Sequence, residues 1–158
     1  MLLNLTFNTM NNFDYSVAEI NVSYSHPVPA RNRIHIEGSN DVYNACTQFW
    51  PSFDHVEFFY VLYLNRNNQL LGVHQLSKGG FTGTVIDVRV VYQVALKACA
   101  CSIILTHNHP SGNLTPSDAD RQITKRISDA GKFLDIQVLD HLIVTSESFY
   151  SFADNGVL

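Results

Sequence analysis

Two histidines two residues apart, His107 and His109, are followed eleven residues later by Asp120. In an extended chain, residues two apart project from the same side. Both imidazoles can therefore point at one spot. Asp120 falls in the first turn of a helix announced by Thr115-Pro116-Ser117-Asp118. At about 100° per residue it lies roughly 20° from Ile127, at the edge of that helix's apolar stripe. It is expected to face inward, with Ser117 on the neighbouring strip and Asp118 pointing away. Two imidazoles and one carboxylate form a three-ligand set suited to Zn²⁺. Three protein ligands leave a fourth position for water, the catalytic pattern, whereas closed four-ligand sites are structural. The metal would bring that water's pKa toward about 7, and a base must still take the proton. Glu57 opens the run Phe58-Phe59-Tyr60-Val61-Leu62-Tyr63-Leu64. Burial beside such a run would raise its pKa to a useful value. The alternative is a strand-end carboxylate satisfied by backbone amides. A shuffled chain of this composition would show the His-His-Asp spacing in roughly 2% of cases, so coincidence is a poor account of it.

These residues need elements to hold them. Ser39-Asn40-Asp41 can cap a helix running to about Trp50. The aromatic run 57–64 reads as a strand buried on both faces. Asn65 to Gln69 is a polar turn, and Leu70 to Leu76 returns as a hairpin partner. Lys78-Gly79-Gly80 and Gly83 mark a loop. Val88, Val91, Ala95 and Ala98 recur at helical spacing, and Ser102 to Thr106 is a short buried strand. The next helix should have Thr115 as N-cap and Pro116 at N1. Its apolar face should be Ala119, Ile123, Ile127, Ala130 and Leu134. A last strand spans about 135–144, and Tyr150-Ser151-Phe152 forms a short final piece. Helices between strands, with at least one hairpin, give an α/β class with a mixed sheet and flanking helices. Residues 1–33, Asn-rich and carrying a weak edge-strand signal at Val17–Val22, read as an N-terminal arm. Residues 34–158 form the domain.

The 158 residues are 46% hydrophobic and 15% charged, with a net charge of -4. The acidic balance argues against a strongly electrostatic nucleic-acid binder. No apolar run reaches membrane-spanning length, and Met1-Leu2-Leu3-Asn4 lacks the basic start of a signal peptide. Cys46, Cys99 and Cys101 make an odd count, and the last two are too close for an ordinary bridge, so a reduced cytoplasmic protein is expected. Cys99 and Cys101 are read as small buried hydrophobes. His26, His35, His55 and His74 are given no function. Arg121, Lys125 and Lys132, with Asp129, are read as a solvated helix face.

The segments His107-Asn108-His109-Pro110-Ser111-Gly112, Pro116-Ser117, Asp120, Leu134-Asp135-Ile136 and Val138-Leu139-Asp140-His141-Leu142-Ile143-Val144 resemble the RadC family over about residues 33–158. His-x-His-x10-Asp, with Ser three before Asp, resembles the signature of the wider JAMM (MPN+) metalloproteases. The resemblance implies a cytidine-deaminase-like α/β fold and a Zn²⁺ held by His107, His109 and Asp120. It further implies Glu57 acting through the metal's water and Ser117 helping to hold the oxyanion. Such a protein would be a metalloprotease-type hydrolase of a peptide or isopeptide bond. Its partner would be a peptide or protein substrate, with no strong nucleic-acid binding and no membrane. Asp140-His141 belongs to the resembling block and is read as structural, or as backing a ligand, before being a ligand itself. The chain departs from the family's common His-Pro-Arg-Glu at Asp87-Val88-Arg89-Val90, where no ligand is expected. Full-length relatives often carry a helix-hairpin-helix region, for which this chain is expected to be too short. The deaminase branch's His-x-Glu and Pro-Cys-x-x-Cys are absent. A second reading is a zinc-containing accessory module of DNA metabolism or protein interaction without catalysis. The joint presence of Glu57, Ser117 and three ligands favours the hydrolase.

Overall fold

A run of seven apolar residues offers no side to water, so it forms a stable strand only when both faces are covered. Phe58–Leu64 meets that condition as β1, every residue of it buried. The computed structural model describes residues 24–79 and 86–158. The edge-strand reading of Val17–Val22 and the Gly80 and Gly83 part of the loop lie outside the described residues, while Lys78 closes β2. After a 3₁₀ turn at Ala30–Asn32, the remaining elements are α1 (Ser39–Phe49), β2 (Leu70–Lys78), α2 (Val88–Lys97), β3 (Ser102–Asn108), α3 (Asp118–Leu134), β4 (Gln137–Val144) and β5 (Phe149–Ser151). The sheet order is β2-β1-β3-β4-β5. β1 runs antiparallel to both β2 and β3, β3 and β4 are parallel, and β4 and β5 are antiparallel. This is the expected mixed α/β sheet with flanking helices. Among the described residues no helix is long and apolar enough to cross a membrane.

Alternate residues of β1 and β3 feed two cores. Phe59, Val61, Tyr63, Ile103 and Leu105 pack under α2 and α3 with Val91, Tyr92, Ala95 and Ile127. Phe58, Tyr60, Leu62, Leu64 and Ile104 pack under α1 with Val42, Cys46 and Trp50. β4 enters this scheme with an irregularity. Val138 pairs with Ile103, but Asp140 pairs with Ile104, leaving Leu139 as an extra residue. A bulge of this kind re-aims the side chains that follow it. Here it sets His141 opposite Leu105, on the face of α2 and α3.

Several local expectations change. The N-cap of α3 is Ser117, not Thr115. Ser117 Oγ accepts from the Asp120 N–H, while the Asp120 carboxylate accepts from the Ser117 N–H. That reciprocal box satisfies two donors at once and outcompetes a single Thr115 cap. Thr115 N–H instead donates to Asn113 Oδ1. The buried line of α3 runs Thr124, Ile127, Gly131, continued at its start by the partly buried Asp120, while Ala119 and Leu134 are exposed. Gly131 is required there, because a Cβ would sit 2.3 Å from the Ile136 carbonyl oxygen and 2.5 Å from the Tyr92 hydroxyl. Cys99 and Cys101 are exposed, not buried. Cys99 takes a left-handed turn out of α2 with φ 53°, which leaves Ala100 as the inward residue. Cys46 is the buried thiol.

Candidate metal centre

β3 runs two residues further than expected, so His107 is itself a strand residue and His109 lies just past the strand end. His107 is 1% exposed. Its ring stacks on Phe59, the residue opposite it on β1, at 5.9 Å. Beyond His109 the chain folds back at once, with the Gly112 N–H donating to the His109 carbonyl at 2.9 Å. Pro110 fits the second position of that turn. Gly112 has φ 75°, a conformation open to glycine at little cost. The turn carries the Asn113 carbonyl to His109 Nδ1, 2.5 Å away. The capping box then fixes Asp120 at the start of α3.

The result is one group, His107, His109 and Asp120, whose ligand atoms all lie within 4.8 Å of one another. His107 Nε2 and His109 Nε2 are 3.0 Å apart. Asp120 Oδ1 is 3.2 Å from His107 Nε2, and Asp120 Oδ2 is 3.7 Å from His109 Nε2. Burial alone would raise the Asp120 carboxyl, but the neighbouring His107 and His109 imidazoles and the Ser117 hydroxyl hold it well below the usual range. His109 is raised, first by its hydrogen bond to Asp120 and against its burial, then by the Asn113 carbonyl and the charges of Asp120 and Glu57. Two neutralisable nitrogens and a firmly ionised carboxylate, converging from three directions, can hold a divalent metal ion.

Glu57 sits immediately before β1 and is half-buried. It is two residues before Phe59, which faces His107. It lies close enough to His109 for its charge to raise that imidazole. Its backbone is held on both sides by a residue that sequence reasoning passed over. Asn108, between the two histidines, is fully buried. Its Nδ2 donates to the Phe53 and Val56 carbonyls at 2.8 and 2.9 Å, and its Oδ1 accepts from the Phe58 N–H at 2.7 Å. The only signal for it in the sequence was an amide set between two candidate ligands. Ser117 is exposed at the rim, its Oγ donating to Asp120 Oδ2 at 2.7 Å.

Asp140 and His141 stand behind the group. The Asp140 carboxylate accepts from the His141 N–H, the Ser151 hydroxyl and the Ala153 N–H. Burial raises its carboxyl, and those bonds oppose the rise. His141, fully buried, is held well below its ordinary pKa by desolvation and by its neighbour His107. Asp87, in the departing segment, caps α2 by accepting from the Arg89 N–H. Lys125 and Lys132 both pair with Asp129 on the exposed side of α3.

Residues 36–157 match the family model described as RadC-like JAB domain. A UPF0758 protein of Flavobacterium johnsoniae is 48% identical over 122 residues, covering 77% of this chain and 53% of that protein. The UPF0758 protein YfjY of Escherichia coli K12 is 47% identical over 102 residues, covering 65% and 64%. A UPF0758 protein of Symbiobacterium thermophilum is 43% identical over 103 residues, covering 65% and 44%. The chain spans about half the length of the curated relatives it matches. With the sheet, the helices and the His-His-Asp group all falling within the matched span, the chain belongs to the RadC-like JAB domain family.

Proposed function

We propose that this domain is a zinc-dependent hydrolase of the JAMM type that cleaves a peptide or isopeptide bond. The observation carrying this reading is the convergence of three donor groups on one spot. Donors about 2.0–2.1 Å from a tetrahedral Zn²⁺ lie about 3.3 Å from one another. The two imidazole Nε2 atoms are 3.0 Å apart, and each has a different oxygen of the Asp120 carboxylate beside it, at 3.2 and 3.7 Å. Each imidazole also has its far nitrogen engaged, His107 Nδ1 by His141 and His109 Nδ1 by the Asn113 carbonyl, as metal-ligating histidines do. Zn²⁺ held by these three residues would polarise a carbonyl and bring the pKa of a water toward about 7.

The chain's own residues supply the remainder. Glu57, close to His109 and held by the Asn108 clamp, takes the proton of the attacking water and delivers it to the leaving amine. Ser117 turns its hydroxyl from Asp120 toward the developing oxyanion. The net charge of -4 supports a peptide or protein substrate over duplex DNA. Three free thiols, two of them exposed, support a reducing, cytoplasmic setting. The test is Glu57→Gln, which keeps size but cannot accept the proton. The variant should retain fold and about one Zn²⁺ per chain while hydrolysis of a peptide-library substrate falls by at least about two decades. Undiminished turnover would refute the mechanism, and zinc loss would mean that Glu57 is a ligand.

A further inference from the structure

Three buried polar side chains, Thr124, His141 and His107, form a chain that ends at the candidate metal site. Thr124, one turn after Asp120 on α3, places Oγ1 2.5 Å from the Asp120 backbone carbonyl oxygen and 2.6 Å from His141 Nδ1. His141 Nε2 is 2.8 Å from His107 Nδ1. Thr124 is 3% exposed, His141 0% and His107 1%, so water does not complete this network from outside. A carbonyl oxygen only accepts, and a threonine hydroxyl has one proton to give. The Thr124 proton therefore goes to the Asp120 carbonyl, and Oγ1 accepts from His141 Nδ1–H. That leaves His141 Nε2 as a lone pair, which accepts from His107 Nδ1–H. The lone pair of His107 is then on Nε2, facing His109 and Asp120. The reverse direction would put two oxygen lone pairs face to face at 2.5 Å. It would also bring a proton out on His107 Nε2, where a metal needs an electron pair.

We infer that Thr124 and His141 are positioning residues that fix His107 in its Nδ1–H tautomer and aim Nε2 at the metal. The inference rests on the metal reading above and extends it by naming what orients the most buried ligand. The device is a closed ring. Asp120 anchors it through its backbone carbonyl and contributes its own carboxylate to the donor set. His141 is locked in orientation by rings on two sides, Phe152 stacked at 4.8 Å and Phe59 at 5.5 Å. The β4 bulge supplies the register that brings it there. This accounts for a threonine and a histidine buried along faces that are otherwise apolar.

The test uses wild type, Thr124→Val and Thr124→Ser. Zn²⁺ affinity is measured by competition with a chelator, and histidine tautomers in the metal-free protein by imidazole ¹⁵N correlation spectra in mildly alkaline buffer. Wild type should show His107 and His141 both as Nδ1–H. Thr124→Val, which keeps the shape and removes the hydroxyl, should weaken Zn²⁺ binding by about 10- to 100-fold and mix the His141 tautomers. Thr124→Ser should restore both. His107 found as Nε2–H in wild type, or equal Zn²⁺ affinity in wild type and Thr124→Val, overturns the inference. If Thr124→Val does not fold, the wild-type tautomers decide by themselves. A wild-type protein that takes up no Zn²⁺ overturns the metal reading and this inference with it, whereas Zn²⁺ binding indifferent to Thr124 overturns the inference alone.

Discussion

The two faces of this sheet are cut from alternate residues of the same strands, yet they are built for different ends. Under α1 the face is aromatic. Trp50 stacks on Phe53 at 5.5 Å and meets Tyr60 at 4.6 Å. Under α2 and α3 the face begins apolar, with Val61, Tyr63, Ile103 and Leu105, and turns polar toward one end with His107, His141 and Thr124. Buried polar groups cost stability unless every donor and acceptor is matched. The polar end exists only where the chain can close a complete network. A single β4 bulge, an N-terminal capping box and one threonine in a helix stripe close it. The aromatic face asks only for volume and shape, so substitutions there should register as stability, and substitutions at the polar end as metal binding and turnover.

The largest expected effect breaks the polar end outright. A His107→Ala, His109→Ala double variant should bind no Zn²⁺, where wild type should bind about one ion per chain, and should have no turnover above background. Elemental analysis and a hydrolysis assay check this. Full metal retention would remove the site. The aromatic face offers the contrasting change. Trp50→Ala should cost about 3–5 kcal/mol of stability and leave Zn²⁺ affinity unchanged at temperatures where the variant stays folded. Among the described residues the Trp50 indole nitrogen has no hydrogen-bond partner, so Trp50→Phe should cost far less. Denaturant titration with a parallel chelator competition separates the two readouts.

That contrast also explains what was legible beforehand. The convergence of His107, His109 and Asp120 could be read from the chain because spacing two in a strand and the angular position in a helix fix facing without tertiary knowledge. β1 could be read because a wholly apolar run has one home. Other features depend on partners distant in sequence. The cap moved from Thr115 to Ser117 because Asp120 reciprocates. His141 reaches His107 because Leu139 is an extra residue in a parallel ladder, and no local pattern announces a bulge. Cys99 and Cys101 come out exposed because the left-handed turn at Cys99 inverts the facing that their apolar character suggested. Thr124 lay in plain view, a hydroxyl in line with Asp120 and Ile127, but its meaning depends on His141, seventeen residues further on.

Asn108 tests where the two faces meet. By alternation it belongs with Ile104 and the aromatic side, yet its amide clamps the backbone on either side of Glu57. Asn108→Ala leaves buried backbone groups unpaired and should cost about 1–3 kcal/mol. It should retain zinc and lower kcat, because Glu57 loses its placement while the ligands keep theirs. Thermal unfolding, metal content and turnover on one preparation resolve this. Loss of zinc in Asn108→Ala would mean that the clamp supports the ligands and not the base.

The smallest effect is a test of independence between the faces. Cys46 lies on the aromatic side, fully buried, and burial pushes its thiol up to about 12 despite a hydrogen bond with Thr106. Thiolate is the reactive form. In native protein near neutral pH, two thiols should therefore label quickly, the exposed Cys99 and Cys101. The third should label only as fast as the core opens. Removing Zn²⁺ should loosen only the polar end. It has no direct route to α1, because Cys46 touches the sheet from the opposite side to His107. Cys46 labelling should thus be unchanged within about twofold between zinc-loaded and metal-free protein, since a local opening under α1 leaves the ligands in place. A metal-free protein whose Cys46 labels tens of times faster would show that metal binding and the aromatic core are energetically coupled through β3, the strand that carries both Thr106 and His107.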